Sequence, residues 1–357
     1  MLQTMIVGSL PRPTWLVPPG QVYGSWKLAG ETLREGQDDA VLLAIADQEA
    51  AGMNIITDGE QRRRHYIWGF CEGLTGLDFE HLVKIQTRGG RYNTQVAAAR
   101  VIGPIRRPRP ILLDALRFLK RHTTRPVKVT LPGPMTTADT LADEYYGNRR
   151  TLAAEVAKVL NEEALELAEN GCNIIQFDEP CFNIYLDDVE EWGIRTLEEA
   201  ARGVQAKTAV HICYGYGVPQ VLQWKTRNTD WSQYWRTLPL LRTSTINMIS
   251  VECAASGVDP AVLAEARGKE LMVGVIDVGT EEVETAETVA ARIRTALQYV
   301  DADRLYPCTD CGMVPRSRAA ARGKMKALAD GAWMVRSALI QHTAQRETVM
   351  GFRPGTR

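Results

Sequence analysis

The chain has 357 residues, of which 45% are hydrophobic and 24% are charged, and its formal net charge is -1. This composition is typical of a globular protein long enough to bury its own core without disulfides or a structural metal. It shows no basic stripe that indicates a nucleic-acid partner and no apolar run of about 18 residues that predicts a membrane span. The seven cysteines, an odd number, and the lack of a signal-peptide pattern lead us to expect a cytoplasmic protein.

Eight short apolar runs, rich in β-branched residues, recur along the chain and end in residues such as Gly, Pro, Asp, Glu, Cys or Ser. In chain order these predicted strands cover residues 5–9, 54–60, 127–133, 173–180, 209–214, 248–253, 271–277 and 304–312. Segments with helical periodicity lie between or after them. The clearest predicted helices cover residues 38–51, 150–170, 283–299 and 317–337.

Apolar strands that alternate with helices predict a parallel sheet covered on both faces. Eight of them predict a closed (β/α)8 TIM barrel rather than an open doubly wound sheet. No Gly-x-Gly-x-x-Gly motif follows the first strand, so the usual sign of a dinucleotide-binding fold is missing. We therefore expect residues 1–357 to form a single (β/α)8 barrel catalytic domain.

Two connections are long enough to be insertions: residues 61–126 after strand two and residues 215–247 after strand five. Long connections in a compact domain are usually active-site lids or subunit contacts, and the sequence does not distinguish these. Residues 86–110 of the first insertion have the pattern of a hairpin with a Pro-rich exit. His65 and His122 carry no motif, and we expect them to be ordinary surface or loop residues.

The carboxyl ends of the predicted strands, where barrel enzymes build their active sites, carry a set of potential metal ligands. His211 and Cys213 are two residues apart on strand five, so both side chains point to one face. Glu252 ends strand six and Cys311 ends strand eight. An imidazole, two thiolates and a carboxylate suit Zn²⁺, whereas Mg²⁺ and Ca²⁺ prefer oxygen ligands.

Two further cysteines compete for a place in this set. Cys308 shares a CTDC segment with Cys311, but Gly312 favours Cys311, because glycine permits a sharp turn from strand into loop. Cys253 directly follows Glu252 and so alternates to the other face of its strand. The His-x-Cys pair alone is also compatible with a buried histidine beside a buried cysteine, without metal.

The predicted donor set indicates a reaction class. Two thiolates and a carboxylate give a zinc complex with a net charge of about -1, which is a poor Lewis acid for hydrolysis. A thiol that coordinates zinc is deprotonated, and an electron-rich ligand shell leaves it nucleophilic. The pattern therefore predicts attack of an activated thiolate on an alkyl group.

Six motifs, in the order IVGSLPRP, ITDGEQRR, IIQFDEP, VHICYG, ISVE and DCG, span nearly the whole chain. In combination they resemble the catalytic domain of cobalamin-independent methionine synthase, within the uroporphyrinogen-decarboxylase-like barrel superfamily. The resemblance implies zinc-dependent transfer of a methyl group to the thiol of homocysteine, with His211, Cys213, Glu252 and Cys311 as the zinc ligands. Without the family's separate N-terminal barrel, the chain looks like the short, core-type members.

The resemblance also implies residues for the amino-acid substrate. Asp178 matches the carboxylate that holds the substrate ammonium, and Ser9 and Glu60 match residues that contact the homocysteine backbone. We therefore predict Asp178 and Glu60 as catalytic residues, with Ser9 as a further substrate contact. Carboxylates at strand ends suit a cationic amine. The competing interpretation for Asp58, Glu60 and Asp178 is N-capping of the helices that follow.

Three features that the family uses to bind its folate donor are missing. Residues 277–280 lack the histidine that protonates the folate, residues 133–140 lack the tryptophan that stacks on it, and residues 181–186 lack a carboxylate. We therefore predict that the donor is not a folylpolyglutamate. A methylated corrinoid, free or bound to a corrinoid protein, is the natural candidate because its methyl group needs no protonated leaving group.

Other functions stay open at this stage. One is a zinc-dependent alkyltransferase for another thiol or donor, as in the superfamily members that add coenzyme M to epoxides, and acceptor specificity would separate it. Another is a metal-free, decarboxylase-like barrel, which zinc content would separate. A third is a barrel that binds zinc and thiol without turnover. The sequence predicts no nucleic-acid or membrane partner and does not decide the oligomeric state.

Overall fold

The structure, a computed structural model, describes residues 1–18, 24–216 and 218–351, with side chains described as far as residue 341. Strands and helices alternate along most of this length. The strands are β1 (Thr75–Gln86), β2 (Gln95–Arg106), β3 (Lys128–Pro132), β4 (Ala142–Asp143), β5 (Ile174–Asp178), β6 (Lys207–Ile212), β7 (Met248–Val251), β8 (Glu270–Ile276) and β9 (Leu305–Thr309). The helices are α1 (Gly30–Ala51), α2 (Trp68–Cys71), α3 (Leu113–His122), α4 (Pro134–Asp139), α5 (Arg149–Glu169), α6 (Leu186–Asp188), α7 (Ile194–Ala201), α8 (Pro219–Arg227), α9 (Gln233–Thr243), α10 (Ala286–Ala296) and α11 (Arg318–Gly351).

Six of the strands form a parallel sheet in the order β3-β5-β6-β7-β8-β9. Every residue of β3, β5, β7 and β9 is buried, because helices cover the outer face and side chains fill the inner one. Two isolated parallel bridges extend the sheet: Met5 pairs with Cys308 of β9, and Ile56 pairs with Val127 next to β3. The predicted (β/α)8 barrel is confirmed.

The first two predicted strands are wrong as regular strands, although their segments take the expected places. The Thr4 carbonyl accepts hydrogen bonds from the backbone N–H groups of Asn54 and Ile55, so these two segments adjoin. The Val7 N–H donates to the side-chain oxygen of Thr309 and not to a backbone carbonyl. In the second segment the Thr57 N–H likewise donates to the Gln48 side chain, at 3.0 Å. Such bonds interrupt the backbone ladder, and residues 5–9 and 54–60 each form a single bridge.

The predicted helices are confirmed with small differences at their ends. Helix α1 begins eight residues before the predicted 38–51 segment and ends at Gly52, whose φ of 90° gives the left-handed cap that glycine favours. Helix α5 lies within one residue of the predicted 150–170 segment at each end. The Asn148 side chain caps its first turn by accepting from the backbone N–H groups of Arg150 and Thr151. Among the described helices, none is long and apolar enough to cross a membrane.

The first insertion holds the predicted hairpin, which is larger than the 86–110 segment indicated. Strands β1 and β2 pair antiparallel from Thr75 opposite Arg106 to Gln86 opposite Gln95. The turn between them, residues 87–94, is named the hairpin tip below. The second insertion forms helices α8 and α9.

The barrel interior has a layer of buried side chains to which nearly every strand or bridge segment contributes. The layer consists of Met5, Val7, Ile55, Ile174, Ala209, Met248, Met272, Tyr306 and Cys308. Side chains two residues apart on a strand share a face, so His211, which follows Ala209 on β6, also points into the barrel. The inward-pointing residues that follow this layer along the strands therefore lie at the mouth of the barrel, where the strands have their carboxyl ends.

Candidate metal and substrate site

Three of the four predicted zinc ligands meet at the mouth of the barrel. The possible ligand atoms of His211, Cys213 and Cys311 all lie within 4.8 Å of one another. The two sulfur atoms are 3.6 Å apart, although Cys213 follows β6 and Cys311 follows β9. This group is named the sulfur–imidazole cluster below, and it joins the ends of strands that are not neighbours in the sheet.

The imidazole of the cluster is oriented by the adjacent strand. His211 pairs in register with Ser250 of β7, and its Nδ1 lies 2.8 Å from the Ser250 Oγ. The other ring nitrogen, Nε2, is buried and has no hydrogen-bond partner. A histidine that donates from Nδ1 keeps the lone pair of Nε2 free, which is the arrangement of a metal ligand. The sequence reasoning missed Ser250, although it lies in the ISVE motif.

The electrostatics of the cluster favour a thiolate. Cys213 and Cys311 share a hydrogen bond, and this bond together with the nearby His211 lowers the pKa of Cys213 well below its ordinary value. The same contact, added to burial, raises the pKa of Cys311. Burial alone would lower the pKa of His211, but the charge of Cys213 raises it. The cluster thus holds negative charge that a cation would stabilise.

Glu252, the fourth predicted ligand, lies outside the group of ligand atoms that the structure brings within 4.8 Å. Its carboxylate is fully buried at the end of β7, and its Oε1 accepts from the Lys225 ammonium at 2.6 Å. Its Oε2 accepts from the backbone N–H of Tyr214 at 2.9 Å. Burial raises the pKa of Glu252 to about 7, against the effect of Lys225.

The two competing cysteines are placed elsewhere. Cys308 belongs to the buried layer inside the barrel, below the mouth. Cys253 follows Glu252, and its backbone N–H donates to the carboxylate of Asp310 at 3.0 Å. Neither is a member of the cluster.

A cavity of about 410 Å³ opens next to the sulfur–imidazole cluster. All three predicted substrate residues, Ser9, Glu60 and Asp178, line it together with the members of the cluster. The volume lies within the range of about 300–1,000 Å³ that small-molecule sites occupy. The strand-end residues therefore share one cavity, as expected for a barrel enzyme.

Asp178 ends β5 and pairs in register with His211 of β6. Its Oδ1 accepts from the Gln176 side chain at 2.7 Å, and it caps no helix. Burial raises the pKa of Asp178 to about 7, with a further contribution from Glu60, while His211 opposes the shift. A buried carboxylate of this kind gains most from a cationic partner in the cavity.

Glu60 adopts a backbone conformation that is rare for a residue with a side chain, with φ of 57°. Its Oε1 accepts from the Thr130 hydroxyl at 2.9 Å. The turn is shaped by Asp58, whose Oδ1 accepts from the Glu60 N–H at 2.9 Å. A Cβ at Gly8 would lie 2.5 Å from the Glu60 carboxylate, so the glycine of the IVGS motif makes room for it.

Ser9 lies against the loop that carries Cys311. A Cβ at Gly312 would lie 2.1 Å from the Ser9 Oγ, so glycine at this position makes room for the Ser9 hydroxyl. The backbone N–H of Met313 donates to the Ser9 carbonyl at 2.8 Å. The hydroxyl is therefore held at the edge of the cavity, next to the cluster.

The first insertion supplies a wall of the cavity that the sequence reasoning missed. Its lining side chains include His65, Tyr66, Trp68, Arg88 and Tyr92. Of the two alternatives predicted for His65, a surface or a loop residue, only the second holds: it lies in the loop before α2 but is buried, and it stacks on Trp68 with ring centroids 4.4 Å apart. Burial lowers the pKa of His65 to about 3. Residues 65–68 carry several ring side chains close together in the sequence, and this grouping could have indicated the wall of the cavity.

The two insertions meet beside the cavity. The Tyr92 hydroxyl of the hairpin tip donates to the Tyr214 carbonyl at 2.7 Å. The Tyr92 ring packs edge-on against Trp224 of α8 at 5.4 Å, and the Arg91 guanidinium lies 5.3 Å from the centroid of the same indole. These contacts favour a role of the two insertions in covering the mouth of the barrel over a role as subunit contacts.

These features define a (β/α)8 barrel with a sulfur- and imidazole-rich cavity at its carboxyl-end mouth. The family model described as "Cobalamin-independent synthase, Catalytic domain" matches residues 2–333. The chain belongs to this family, and the resemblance seen in the sequence motifs is confirmed.

Named relatives match over almost the full chain. The methionine synthase of Saccharolobus solfataricus is 33% identical over 342 residues, covering 95% of this chain and 96% of the relative. That of Sulfurisphaera tokodaii is 32% identical over 340 residues, covering 95% and 94%. The solved B12-independent methionine synthase of Shewanella sp. W3-18-1, in complex with selenomethionine, is 48% identical, with a TM-score of 0.93 over 96% of this chain and 99% of that one.

Proposed function

We propose that this chain is a zinc-dependent methyltransferase that transfers a methyl group to the thiol of homocysteine and so forms methionine. The observation that carries the proposal is the sulfur–imidazole cluster, in which two sulfurs and an unpartnered histidine nitrogen converge at the barrel mouth. Membership of a methionine synthase family supports the identity of the acceptor.

The donor set of the cluster fits Zn²⁺. Thiolate and imidazole ligands select zinc over the hard cations, which need oxygen. Catalytic zinc sites commonly use three protein ligands and leave a fourth position to a substrate or water. His211, Cys213 and Cys311 would be these three ligands, and Glu252 is the candidate for a fourth. Zinc held here would supply the positive charge that keeps a coordinating thiol deprotonated at neutral pH.

The strand-end residues fit the amino-acid part of homocysteine. We assign Asp178 as the partner of the substrate ammonium, because its buried carboxylate faces the cavity. Glu60 and Ser9 would contact the amino-acid backbone from the carboxyl ends of the first two barrel segments. The Shewanella relative was solved with selenomethionine, which is an analogue of the proposed product, and this supports a pocket of that size.

The methyl donor is open between two classes. The missing folate-side residues predict a methylcorrinoid, but the relatives' printed descriptions read cobalamin-independent and B12-independent and give a corrinoid no support. A cavity of about 410 Å³ does not enclose a corrinoid, so such a donor would present only its methyl-bearing face at the mouth. A smaller donor could be enclosed between the cluster and the aromatic wall of the first insertion.

The test is methionine formation by zinc-loaded protein with homocysteine, with methylcobalamin and a methyltetrahydrofolate as alternative donors. Metal-free protein is the control in each case. Product with either donor supports the proposed function and also identifies the donor class. Zinc-loaded protein that does not bind homocysteine contradicts the proposed function and directs attention to another thiol.

A further inference from the structure

A fully buried ammonium lies inside the barrel, behind the predicted substrate carboxylate of Asp178. It belongs to Lys128, the first residue of β3. Its Nζ donates to the backbone carbonyls of Ile6 and Val7 at 2.7 and 2.8 Å, and to the Gln176 side-chain oxygen at 2.6 Å. An ammonium has three N–H groups, so these three acceptors use all of them. The lysine therefore reaches Asp178 only through another side chain.

The ammonium determines which way the Gln176 amide faces. Lys128 can only donate hydrogen bonds, so the oxygen of the amide must point to it and the NH2 group must point away. This NH2 group donates to the Asp178 Oδ1 at 2.7 Å. Gln176 and Asp178 are two residues apart on β5, so their side chains share the face that points into the barrel. Cation, amide and carboxylate thus form a chain that ends at the cavity.

The neutral amide keeps two buried charges apart. Burial lowers the pKa of Lys128 to about 8, and the nearby Cys308 and Asp178 oppose that shift, so the ammonium is charged at neutral pH. If it contacted Asp178 directly, the carboxylate would already have its compensating charge and would gain little from a second cation. With the amide in between, a cation in the cavity can still pair with Asp178.

We propose that Lys128 and Gln176 are positioning residues that orient Asp178 for the ammonium of an amino-acid substrate. The inference rests on the proposed function, in which this ammonium belongs to homocysteine. The amide occupies Oδ1 and fixes the carboxylate, which leaves the other oxygen to the substrate. Lys128 fixes the amide without pairing with the carboxylate, so the negative charge stays available for a charge-assisted hydrogen bond.

The test compares homocysteine with γ-mercaptobutyrate, which has the same thiol and carboxylate but no amino group. Both are titrated into zinc-loaded protein by calorimetry at neutral pH. Gln176→Met removes the amide and keeps the ammonium with its two carbonyl partners. Its affinity for homocysteine should fall about ten-fold, whereas its affinity for γ-mercaptobutyrate should change less than about two-fold. Its zinc content should not change.

A double-mutant cycle tests whether the lysine acts through the amide. Lys128→Met should also weaken homocysteine binding about ten-fold, because the Gln176 amide can then turn its oxygen toward Asp178. Lys128→Met combined with Gln176→Met should lose about ten-fold and not about a hundred-fold. The matched control is Lys324→Met, since Lys324 is equally buried but pairs with Glu284, away from the cavity. It should keep the affinity for both thiols.

Unchanged homocysteine affinity in Gln176→Met would overturn the inference. So would equal losses for the two thiols, because the amide would then support the site as a whole and not the ammonium position. This comparison decides the inference even if Lys128→Met does not fold. If γ-mercaptobutyrate does not bind, the double variant decides, and an additive loss of about a hundred-fold would overturn the inference. The proposed function fails separately, if the unaltered zinc-loaded protein binds neither thiol.

Discussion

The two sulfurs of the cluster are brought together by strand ends that are distant in the sequence, and each depends on the other. The two share a hydrogen bond across 3.6 Å, which favours the thiolate of Cys213. Because the metal would replace that shared proton, the affinity for zinc is expected to depend on both residues.

Cys311→Ala should therefore lower zinc affinity by more than about a hundred-fold, since even residues that only support a ligand change metal affinity ten- to hundred-fold. The matched control is Cys308→Ala, which removes a sulfur from the same segment but from the layer inside the barrel. That variant should keep its zinc and lose about 1 kcal/mol of stability. Zinc content by metal analysis and unfolding in urea are the measurements. A zinc-replete Cys311→Ala protein would show that Cys311 is not a ligand.

Asp178→Asn should weaken homocysteine binding about ten- to hundred-fold without loss of zinc, because a hydrogen bond between charged groups becomes a neutral one. The effect should depend on pH. With its pKa raised to about 7, Asp178 is ionised above pH 7 and becomes neutral as the pH falls. The difference in KM for homocysteine between the variant and the unaltered protein should thus be large above pH 7 and shrink below it. A difference that is constant from pH 6 to 8 would remove Asp178 from the substrate site.

The residues that lie on strands could be predicted from the sequence, because period-two spacing and the strand-end rule are local. His211 and Cys213 are the clearest case. The contacts of Ser250 and Lys225 could not be predicted in this way. Ser250 meets His211 through the register of two neighbouring strands, and Lys225 reaches Glu252 from a helix in an insertion. Such pairings depend on tertiary contacts that no single spacing shows.

At the scale of elements, a partly buried arginine helps to fix the hairpin tip on the barrel. Arg88 has a φ of 56°, and its Nη1 donates to Asp139 of α4 at 2.8 Å and to the Cys181 sulfur at 2.9 Å. Its Nη2 donates to the Tyr66 hydroxyl at 2.9 Å. The strained backbone is held by these contacts, which place the tip beside the cavity.

Arg88→Met should destabilise the protein by on the order of 3 kcal/mol, because the buried Asp139 carboxylate loses its closest positive partner and keeps only Arg149, at 4.0 Å. Asp139→Asn added to this variant should recover a large part of that loss, since the uncompensated charge is removed. The free energy of unfolding in urea and the rate of proteolytic cleavage within residues 87–94 are the measurements. Equal destabilisation of the single and double variants would show that Arg88 acts through packing and not through the ion pair.

The long helices and six of the eight barrel segments could be predicted from periodicity, because their side chains alternate between core and solvent or are wholly buried. The first two segments could not. Their apolar residues resemble those of a strand, but side-chain bonds such as that from the Val7 N–H to Thr309 replace the backbone ladder. The aromatic wall of the first insertion lacked a periodic signal.

For the whole molecule, most of the core lies away from the candidate metal site. The largest group of buried apolar residues extends around the barrel and its helices, far beyond the mouth. A chain of this length does not need a metal to fold.

Treatment with a chelator should therefore leave the far-ultraviolet circular dichroism spectrum and a cooperative thermal transition in place while abolishing methionine formation. Restoring zinc should stabilise the protein by mass action, by about 2.7 kcal/mol at a hundred-fold excess over the dissociation constant. Calorimetry with and without zinc provides the measurement. Loss of the native spectrum on chelation would mean that the site is structural.

The cavity has two walls of different origin. The cluster and the three candidate substrate residues lie at or just after the carboxyl ends of the barrel segments, where a shift of one residue in a strand would turn a side chain to the opposite face. The facing wall belongs to the hairpin insertion, which can change in length and composition while the barrel stays the same. Homologues with a different hairpin should therefore keep the thiol chemistry and accept their methyl group from a different source, so the two halves of the reaction can evolve separately.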